Sequence, residues 1–394
     1  MEKRLDNKKR LLHTGESQRK NGLYVYKYVE YGVPKFVYSW KLVATDPLPK
    51  GKRNCVPLRE QEKLIKRDIE DGIDTIGKKM TLCDLYAKQN NTHANVKRRT
   101  VKNRKNLMKL LEGDVLGHRS ICDIKPSDAK EWAVRMKEKG NAYGSINNLK
   151  RALTASFYTA IEDDYVRKNP FLFNLNDVIK DDTIHKEALS VEQQNALLWF
   201  IRADRVYKRL YDAILILLNT GLRSSELCGL TLSDIDFDNM FINIDHQLLK
   251  DKDGYYIDTP KTESSFRKIP ITPPVYKALK RAIKNRDRSK PITVDGYKDF
   301  IFLSKKGCPL YNSYYTRNLK YIVAKYNKYH PNNELPHITS HILRHSFCTN
   351  MAIKGMSPTN LQYIMGHKSI EMTLGYYAHG NGISAQKEMA RLVS

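Results

Sequence analysis

The hydrophobic pattern changes character twice along this 394-residue chain, and the two changes mark out three kinds of structure. Near the N-terminus, Leu23-Tyr24-Val25-Tyr26-Lys27-Tyr28-Val29 and Lys35-Phe36-Val37-Tyr38-Ser39-Trp40 are β-branched and aromatic runs. The turn residues Tyr31-Gly32-Val33-Pro34 separate them, which predicts a hairpin. A third strand is expected near Trp40 to Ala44, then a helix from Leu58 to Asp71 stopped by Gly72. From residue 80 the apolar spacing becomes helical. Thr100 is placed to cap a helix running through Leu111, and Ser127 one over Asp128 to Lys139 that Gly140 ends. Ser145 opens a third, carrying Leu149, Leu153, Phe157 and Ile161 on one face. Asn169-Pro170 ends this bundle, and a polar stretch through Asp181-Asp182-Thr183 follows. Beyond it Ser190 and Gln193 form a capping-box pattern. Helices then surround a strand-rich insert at Phe241 to Ile244, Tyr255 to Ile257 and Arg267 to Ile271. The expected organisation is an α+β multidomain chain. A small β-sheet module spans 1–75, a helical bundle 80–168, a linker 169–187, and a mainly helical domain with a small sheet 188–394.

Charge narrows the partner. Lys and Arg number 68 against 43 Asp and Glu, a formal net charge of +25. Such a surplus repels itself unless a polyanion compensates it. Nucleic acid is the first candidate and an acidic membrane surface the second. Hydrophobic residues make up 41% of the chain, which excludes wholesale disorder. The longest apolar run, Ala213 to Leu218, falls far short of the ~20 residues a membrane span requires. The start, Met1-Glu2-Lys3-Arg4-Leu5-Asp6, lacks the apolar core of a signal peptide. The six cysteines are scattered without a CxxC pair, the pattern of reduced thiols. A cytoplasmic protein is expected.

The positive charge is also clustered. Residues 1–53 hold 13 Lys and Arg against five acids. Arg19, Lys20, Tyr24, Lys27 and Trp40 are the residues there from which DNA contacts are expected, with Tyr26, Lys35 and Tyr38 interleaved among them. Strand alternation puts Tyr24, Tyr26 and Tyr28 on one face and Val25, Lys27 and Val29 on the other. A second basic run, Lys97-Arg98-Arg99 with Lys102, Arg104, Lys105 and Lys109, follows one helix of the bundle. It reads either as a solvated face or as a surface that tracks phosphates.

Chemistry concentrates near the C-terminus, where six of the 11 histidines fall between His330 and His379. Thr339 or Ser340 can cap a helix on which His341, Arg344 and His345 share a face at i, i+3 and i+4. Cys348 and Ala352 continue that stripe with small side chains. Ser357-Pro358 starts another helix and Gly366 ends it, immediately before His367. Tyr376 and Tyr377 lie about ten residues further on. His337, His341 and His345 are spaced four apart, as in a helical zinc site. Pro336 and Thr339, however, place His337 ahead of the helix, and neither HExxH nor a cysteine at ligand spacing accompanies the three. No metal ion or other cofactor is expected. For any one of these histidines, a satisfied polar group of the core remains the competing reading.

Taken in order, Thr220-Gly221-Leu222-Arg223-Ser224-Ser225-Glu226-Leu227, His341-x-x-Arg344-His345, Gly366-His367 and Tyr377-x-His379 resemble the signature of the tyrosine recombinases, the phage integrase family. Thr259-Pro260-Lys261-Thr262, between strands, is similar to that family's β-hairpin lysine. With the N-terminal hairpin and the bundle, the resemblance extends over nearly the whole chain to the integrases of conjugative transposons. It implies the tyrosine recombinase fold, with a SAM-like core-binding bundle. It also implies a metal- and ATP-independent DNA strand transferase acting in excision and integration. Tyr377 would attack a phosphate and form a 3′-phosphotyrosyl bond. Tyr376 stands beside it, and the following Ala378-His379 favours Tyr377. Arg223 and Arg344 would clamp the phosphate oxygens, since only guanidinium offers a planar, always-charged fork. Lys261 would protonate the departing 5′-oxygen, and Lys250, Lys252 and Lys268 are other lysines nearby. His341 and His367 would bond the phosphate or move protons, near their unperturbed pKa. Glu226 and His345 would support them.

The resemblance further implies core and arm DNA sites, four protomers on DNA, and a C-terminal helix at Ala385 to Leu392 that docks on a neighbour. An excisionase and a host DNA-bending protein are the expected accessory partners. Competing readings are a type IB topoisomerase-like enzyme, a non-catalytic DNA-binding regulator and an RNA-binding polyanion receptor.

Overall fold

The computed structural model describes residues 4–30, 33–70, 79–92, 96–183, 187–259, 266–286, 292–377 and 389–390. The chain divides into two units, Met1–Ile184 and His185–Ser394.

In the first unit, strands β1 (Glu16–Gln18), β2 (Tyr24–Glu30) and β3 (Val33–Ser39) form an antiparallel sheet in that order. Tyr24 pairs with Ser39 and Tyr26 with Val37 across the hairpin. The third strand therefore precedes the hairpin and does not lie at Trp40–Ala44. The reason is Asp46, whose carboxylate accepts the Leu42 and Val43 amides and holds that segment in a turn. Leu42 points into the core from there. Helix α1 (Leu58–Glu70) covers one sheet face, burying Leu58 and Ile65 against Leu12, Tyr24 and Tyr26.

A second core lies within the same unit, built by α2 (Leu82–Thr92), α3 (Arg98–Glu112), α4 (Pro126–Glu138) and α5 (Tyr143–Glu162). Trp132 and Phe157 both pack on Phe171, at ring distances of 5.8 and 5.6 Å. The helices at the expected caps Thr100, Ser127 and Ser145 start one or two residues before them, at Arg98, Pro126 and Tyr143. Pro126 takes the first turn of α4 ahead of Ser127, as its fixed φ favours. Lys97 and Ala142, in extended conformation, precede α3 and α5 without a side-chain cap.

The second unit begins with α6 (Val191–Ala203), where Ser190 and Gln193 form the expected reciprocal cap. Helix α7 (Tyr211–Thr220) is apolar on almost every side and is the buried axis of the unit. It is followed by the short α8 (Ser224–Gly229) and strands β4 (Ile235–Asp236), β5 (Phe241–Ile244), β6 (Gln247–Asp251), β7 (Gly254–Asp258) and β8 (Arg267–Pro270). They make a three-stranded sheet ordered β4-β5-β8 and a separate β6-β7 hairpin. Helices α9 (Pro273–Lys284), α10 (Asn312–Tyr329), α11 (Ser340–Ile353), α12 (Pro358–Met365) and α13 (Glu371–Leu374) complete the unit. This is the expected α+β arrangement, mostly helical with small antiparallel sheets. Among the described residues, no helix is long and apolar enough to cross a membrane.

Candidate active site

The site is assembled where four chain segments of the second unit meet. Helix α7 ends at Gly221, in the left-handed conformation at φ 64°. A Cβ there would lie 2.5 Å from Phe347 and 2.8 Å from the Met365 sulfur, so close packing as well as backbone conformation requires glycine. The turn delivers Arg223 to the start of α8. Glu226, one turn in, accepts the Arg223 amide at 2.8 Å and its Nη1 at 2.7 Å. On the other side of that carboxylate, Arg267 of β8 makes a bidentate pair, Nη2 to Oε2 at 2.7 Å and Nη1 to Oε1 at 3.0 Å.

Thr339 caps α11 with its hydroxyl on the Ile342 amide. That helix carries Arg344 inward, where Nη1 donates to the Gly221 carbonyl at 2.6 Å and Nη2 to the Met365 carbonyl. Three successive carbonyls at the C-terminal end of α12 each accept from a different arginine. Ile364 receives Arg267 Nε at 2.6 Å, Met365 receives Arg344, and Gly366 receives Arg223 Nη2 at 3.2 Å. The unpaired carbonyls and negative dipole end of a helix suit this use. Gly366, left-handed at φ 61°, then turns the chain so that His367 enters the same cluster. His367 Nδ1 lies 2.9 Å from the Thr373 hydroxyl.

The electrostatics are unbalanced. Arg344, Arg267, Glu226 and His367 are all at most 6% exposed. Burial alone would push the Glu226 carboxyl up. Arg267 foremost, with Arg223 and Arg344, overcomes this and holds it at about 2. Burial, reinforced by the charge of Arg223, lowers Arg344 to about 9, which still leaves it cationic at neutral pH. Burial and the three arginines together drop His367 to about 4, so it is a neutral imidazole rather than a group near its ordinary pKa. Three guanidiniums thus face one carboxylate. The Arg223 side chain is 34% exposed, and it gives this excess positive charge an open side.

Of the other expected site residues, His341 is exposed on α11 and His345 is half-buried. The His345 ring lies 4.9 Å from that of Tyr376. Tyr376 also stacks near His367, with ring centroids 6.2 Å apart. The Tyr377 hydroxyl donates to the Met356 carbonyl, just before α12. Lys261, His379 and the Ala385–Leu392 helix fall outside the described residues, apart from residues 389–390. Sequence reasoning placed Arg267 only as part of a strand and missed Thr373. The signal for Arg267 was its register. Arg267 and Ile269 alternate as the buried positions of β8, so an arginine occupies the apolar side of the strand.

The basic candidates lie in the first unit. Tyr24 belongs to the core face of the sheet, 3% exposed, with its hydroxyl bonded to Asp6 and Arg10. It is therefore not available as a surface contact. Lys27, Phe36 and Tyr38 occupy the open face, and Arg19 lies over the Tyr38 ring at 5.0 Å. Lys20 is exposed, and Trp40 is half-buried beneath Lys52. On α3, Arg98, Arg99 and Lys102 are exposed, whereas Lys97, just before it, and Arg104 are half-buried. Arg104 donates to the Asn90 carbonyl.

Comparison with known proteins agrees with this architecture. Residues 187–382 match the phage integrase family, and residues 1–69 match the DNA-binding domain of Tn916 integrase. The chain is 58% identical to the transposase from transposon Tn1545 of Streptococcus agalactiae, over 99% of this chain and 97% of that protein. It is equally similar to the transposase from transposon Tn916 of Enterococcus faecalis, with the same coverage. The solved structure of the Tn1549 transposon integrase in complex with a circular intermediate DNA aligns at a TM-score of 0.76 and 53% identity, covering 79% of this chain and 99% of that one. The chain belongs to the phage integrase family and is a tyrosine recombinase of the kind carried by conjugative transposons.

Proposed function

We propose that this protein excises and integrates its element by cutting and rejoining double-stranded DNA through a phosphotyrosyl intermediate, with Tyr377 as the nucleophile. The observation that carries this is the buried surplus of guanidinium around Arg223, Glu226, Arg267 and Arg344, which calls for an anionic ligand. A phosphodiester brings one negative charge, and its transition state carries more, so the cluster stabilises the transition state over the ground state. The Tn1549 integrase structures support the assignment of two roles. One is an arginine-to-lysine variant with circular intermediate DNA, another a tyrosine-to-phenylalanine variant with transposon right end DNA. The two substituted residues are separated along that chain by the same distance as Arg223 and Tyr377 here.

In the proposed reaction the Tyr377 oxygen bonds to phosphorus as the bond to the 5′-oxygen breaks. Arg223 and Arg344 hold the non-bridging oxygens. Lys261 supplies the proton to the leaving oxygen. His367, neutral, offers a hydrogen bond from Nε2 when Thr373 donates to its Nδ1. His341 assists at the phosphate, and Glu226 and His345 hold their neighbours in place. Bond energy is conserved in the phosphotyrosine, so ATP has no part, and the arginines provide the positive charge that a metal ion supplies elsewhere. Tyr377 first has to leave the Met356 carbonyl. The exposed basic residues of α3 and the open face of the N-terminal sheet are assigned to core and arm DNA. The working assembly is four protomers on two duplexes, in the cytoplasm at the nucleoid, aided by an excisionase and a DNA-bending protein. The division into modules at 1–75, 80–168 and 188–394 fits these separate tasks, although the first part of the 169–187 stretch expected to link them belongs to the bundle, with Phe171, Leu175 and Ile179 buried in its core.

The test is a nicked suicide duplex built on the end sequence of the element, incubated with protein in EDTA. A covalent protein–DNA adduct is expected, and Tyr377→Phe abolishes it while DNA binding persists. A requirement for metal, or an adduct that survives the substitution, refutes the proposal.

A further inference from the structure

The three arginines at the end of α12 are not equivalent. Arg223 keeps a third of its side chain open, whereas the Arg267 side chain is 0% exposed and cannot reach a ligand. Among the described residues, the Arg267 guanidinium donates twice to the Glu226 carboxylate and once to the Ile364 carbonyl. Glu226 in turn grips both the amide and the Nη1 of Arg223. A continuous line of bonds therefore runs from β8 through Arg267 and Glu226 to the arginine with an open face. It is closed by α12, whose last carbonyls hold Arg267 and Arg223 two residues apart. The site is crowded around this point, since a Cβ on Gly366 would sit 3.2 Å from Arg267 Nη1.

We propose that Arg267 is a positioning residue of the strand-transfer site, locking the Glu226 carboxylate and the carbonyl end of α12 together and thereby aiming Arg223 at the phosphodiester. The inference rests on reading the site as a phosphotyrosyl strand-transfer centre. Two consequences separate it from mere core packing. A guanidinium is needed, because an ammonium cannot span both carboxylate oxygens and a carbonyl at once. And Glu226 must stay ionised for its grip on Arg223 to hold. The charged and titratable groups facing Glu226 are Arg267 from β8, Arg223 before α8 and Arg344 from α11. His367 lies beside those arginines and the Cys348 thiol behind Arg344. From β6 and α10, Gln247 and Asn312 bring uncharged groups to Ser225 and Ser224. With Arg267 gone, the buried carboxyl loses its main counter-charge and begins to take up a proton in the ordinary assay range.

The experiment measures the rate of covalent adduct formation on the suicide duplex as a function of pH, using the full chain. For Arg267→Gln the expected rate at neutral pH is at least ~30-fold below wild type, with DNA binding changed by less than about threefold. Its profile gains an acid limb, absent in wild type, above the pH at which the wild-type carboxyl takes up its proton. In Glu226→Gln/Arg267→Gln the limb disappears, because no carboxyl remains to titrate. A rate within threefold of wild type, a loss equal at every pH, or a limb that persists in the double variant overturns the proposal. If Arg267→Gln does not fold, Arg267→Lys decides. It keeps the charge and loses the fork, so a slowed rate without an acid limb is expected, and a wild-type rate refutes the assignment. Failure of the wild-type protein itself to form an adduct, or an adduct in Tyr377→Phe, overturns the underlying reading and this one with it. Any change confined to the Arg267 variants concerns Arg267 alone.

Discussion

Replacing Glu226 by glutamine is the sharpest test of how the arginine cluster is held together in the free protein. The carboxyl is held at about 2, against an ordinary value of 4.5, despite nearly complete burial. A depression of that size corresponds to about 3 kcal/mol of stabilisation of the folded state. The sign follows from the direction of the shift. The folded-state pKa is depressed, so the contribution is fully present above pH 4.5 and is lost as pH falls toward 2. At neutral pH the whole of it is therefore at stake. Glutamine has the same shape, but it leaves three guanidiniums without a counter-charge and turns an amide NH₂ toward one of them. Removing one partner of a buried ion pair typically costs about 3–5 kcal/mol, which agrees with the first figure. The assay is native-state hydrogen exchange at neutral pH and low salt, read on peptides covering α8 and the end of α12. Exchange there should quicken by roughly two to three orders of magnitude, since each 1.4 kcal/mol is about tenfold. Glu371→Gln, at an exposed residue of α13, should move the same peptides by less than about 0.5 kcal/mol. A Glu226→Gln effect below about 1 kcal/mol would show that the arginines are neutralised by something other than this carboxylate.

Two further outcomes follow from the geometry. Gly221→Ala places a methyl group against Phe347 and Met365 at a positive φ, so a loss of at least about 3 kcal/mol is expected, with collapse of adduct formation; a thermal melt within a few degrees of wild type would contradict the packing described. Substituting Arg98, Arg99 and Lys102 together by alanine should weaken duplex binding and reduce the slope of log affinity against log salt by about one for each phosphate no longer neutralised, measured by salt titration; an unchanged slope would make α3 a merely solvated face.

Much of this architecture is legible from local chemistry. The caps at Ser190, Thr339 and Ser357 and the left-handed glycine closing α12 all stand where their side chains predict. Each reports a bond within one turn of helix, and such bonds depend little on the rest of the chain. What escapes a sequence reading depends on distant partners. Glu16–Gln18 is three residues long and carries no strand pattern; it is a strand because Tyr24–Tyr26 offers it an edge. Gln247–Asp251 likewise takes its strand conformation by pairing with β7, whose aromatic and β-branched residues do show in the sequence. In β2 the alternation is plain, but it does not say which face α1 covers, and Tyr24 proves to be inside. Arg267 is hidden for a related reason. Its partners, Glu226 and the Ile364 carbonyl, are 41 and 97 residues away in sequence.

The placement of Tyr377 gives α12 a significance that none of its own side chains suggests. The Met356 carbonyl, which accepts the Tyr377 hydroxyl, lies just before the helix begins, whereas the three arginines are gathered on the carbonyls of Ile364, Met365 and Gly366 at its far end. Eight helical residues separate the two ends, about 12 Å of rise. The proposed nucleophile and the arginines proposed to clamp the phosphate are thus held on one short helix but apart, and the same backbone that gathers the arginines keeps the tyrosine from them. Burial also raises the Tyr377 phenol above its ordinary value, so the resting hydroxyl is protonated and a weak nucleophile. Under the proposed mechanism, cleavage would therefore require more than arrival of a phosphate between the arginines: the Tyr377 bond at one end of α12 would have to be released before the charge at the other could act.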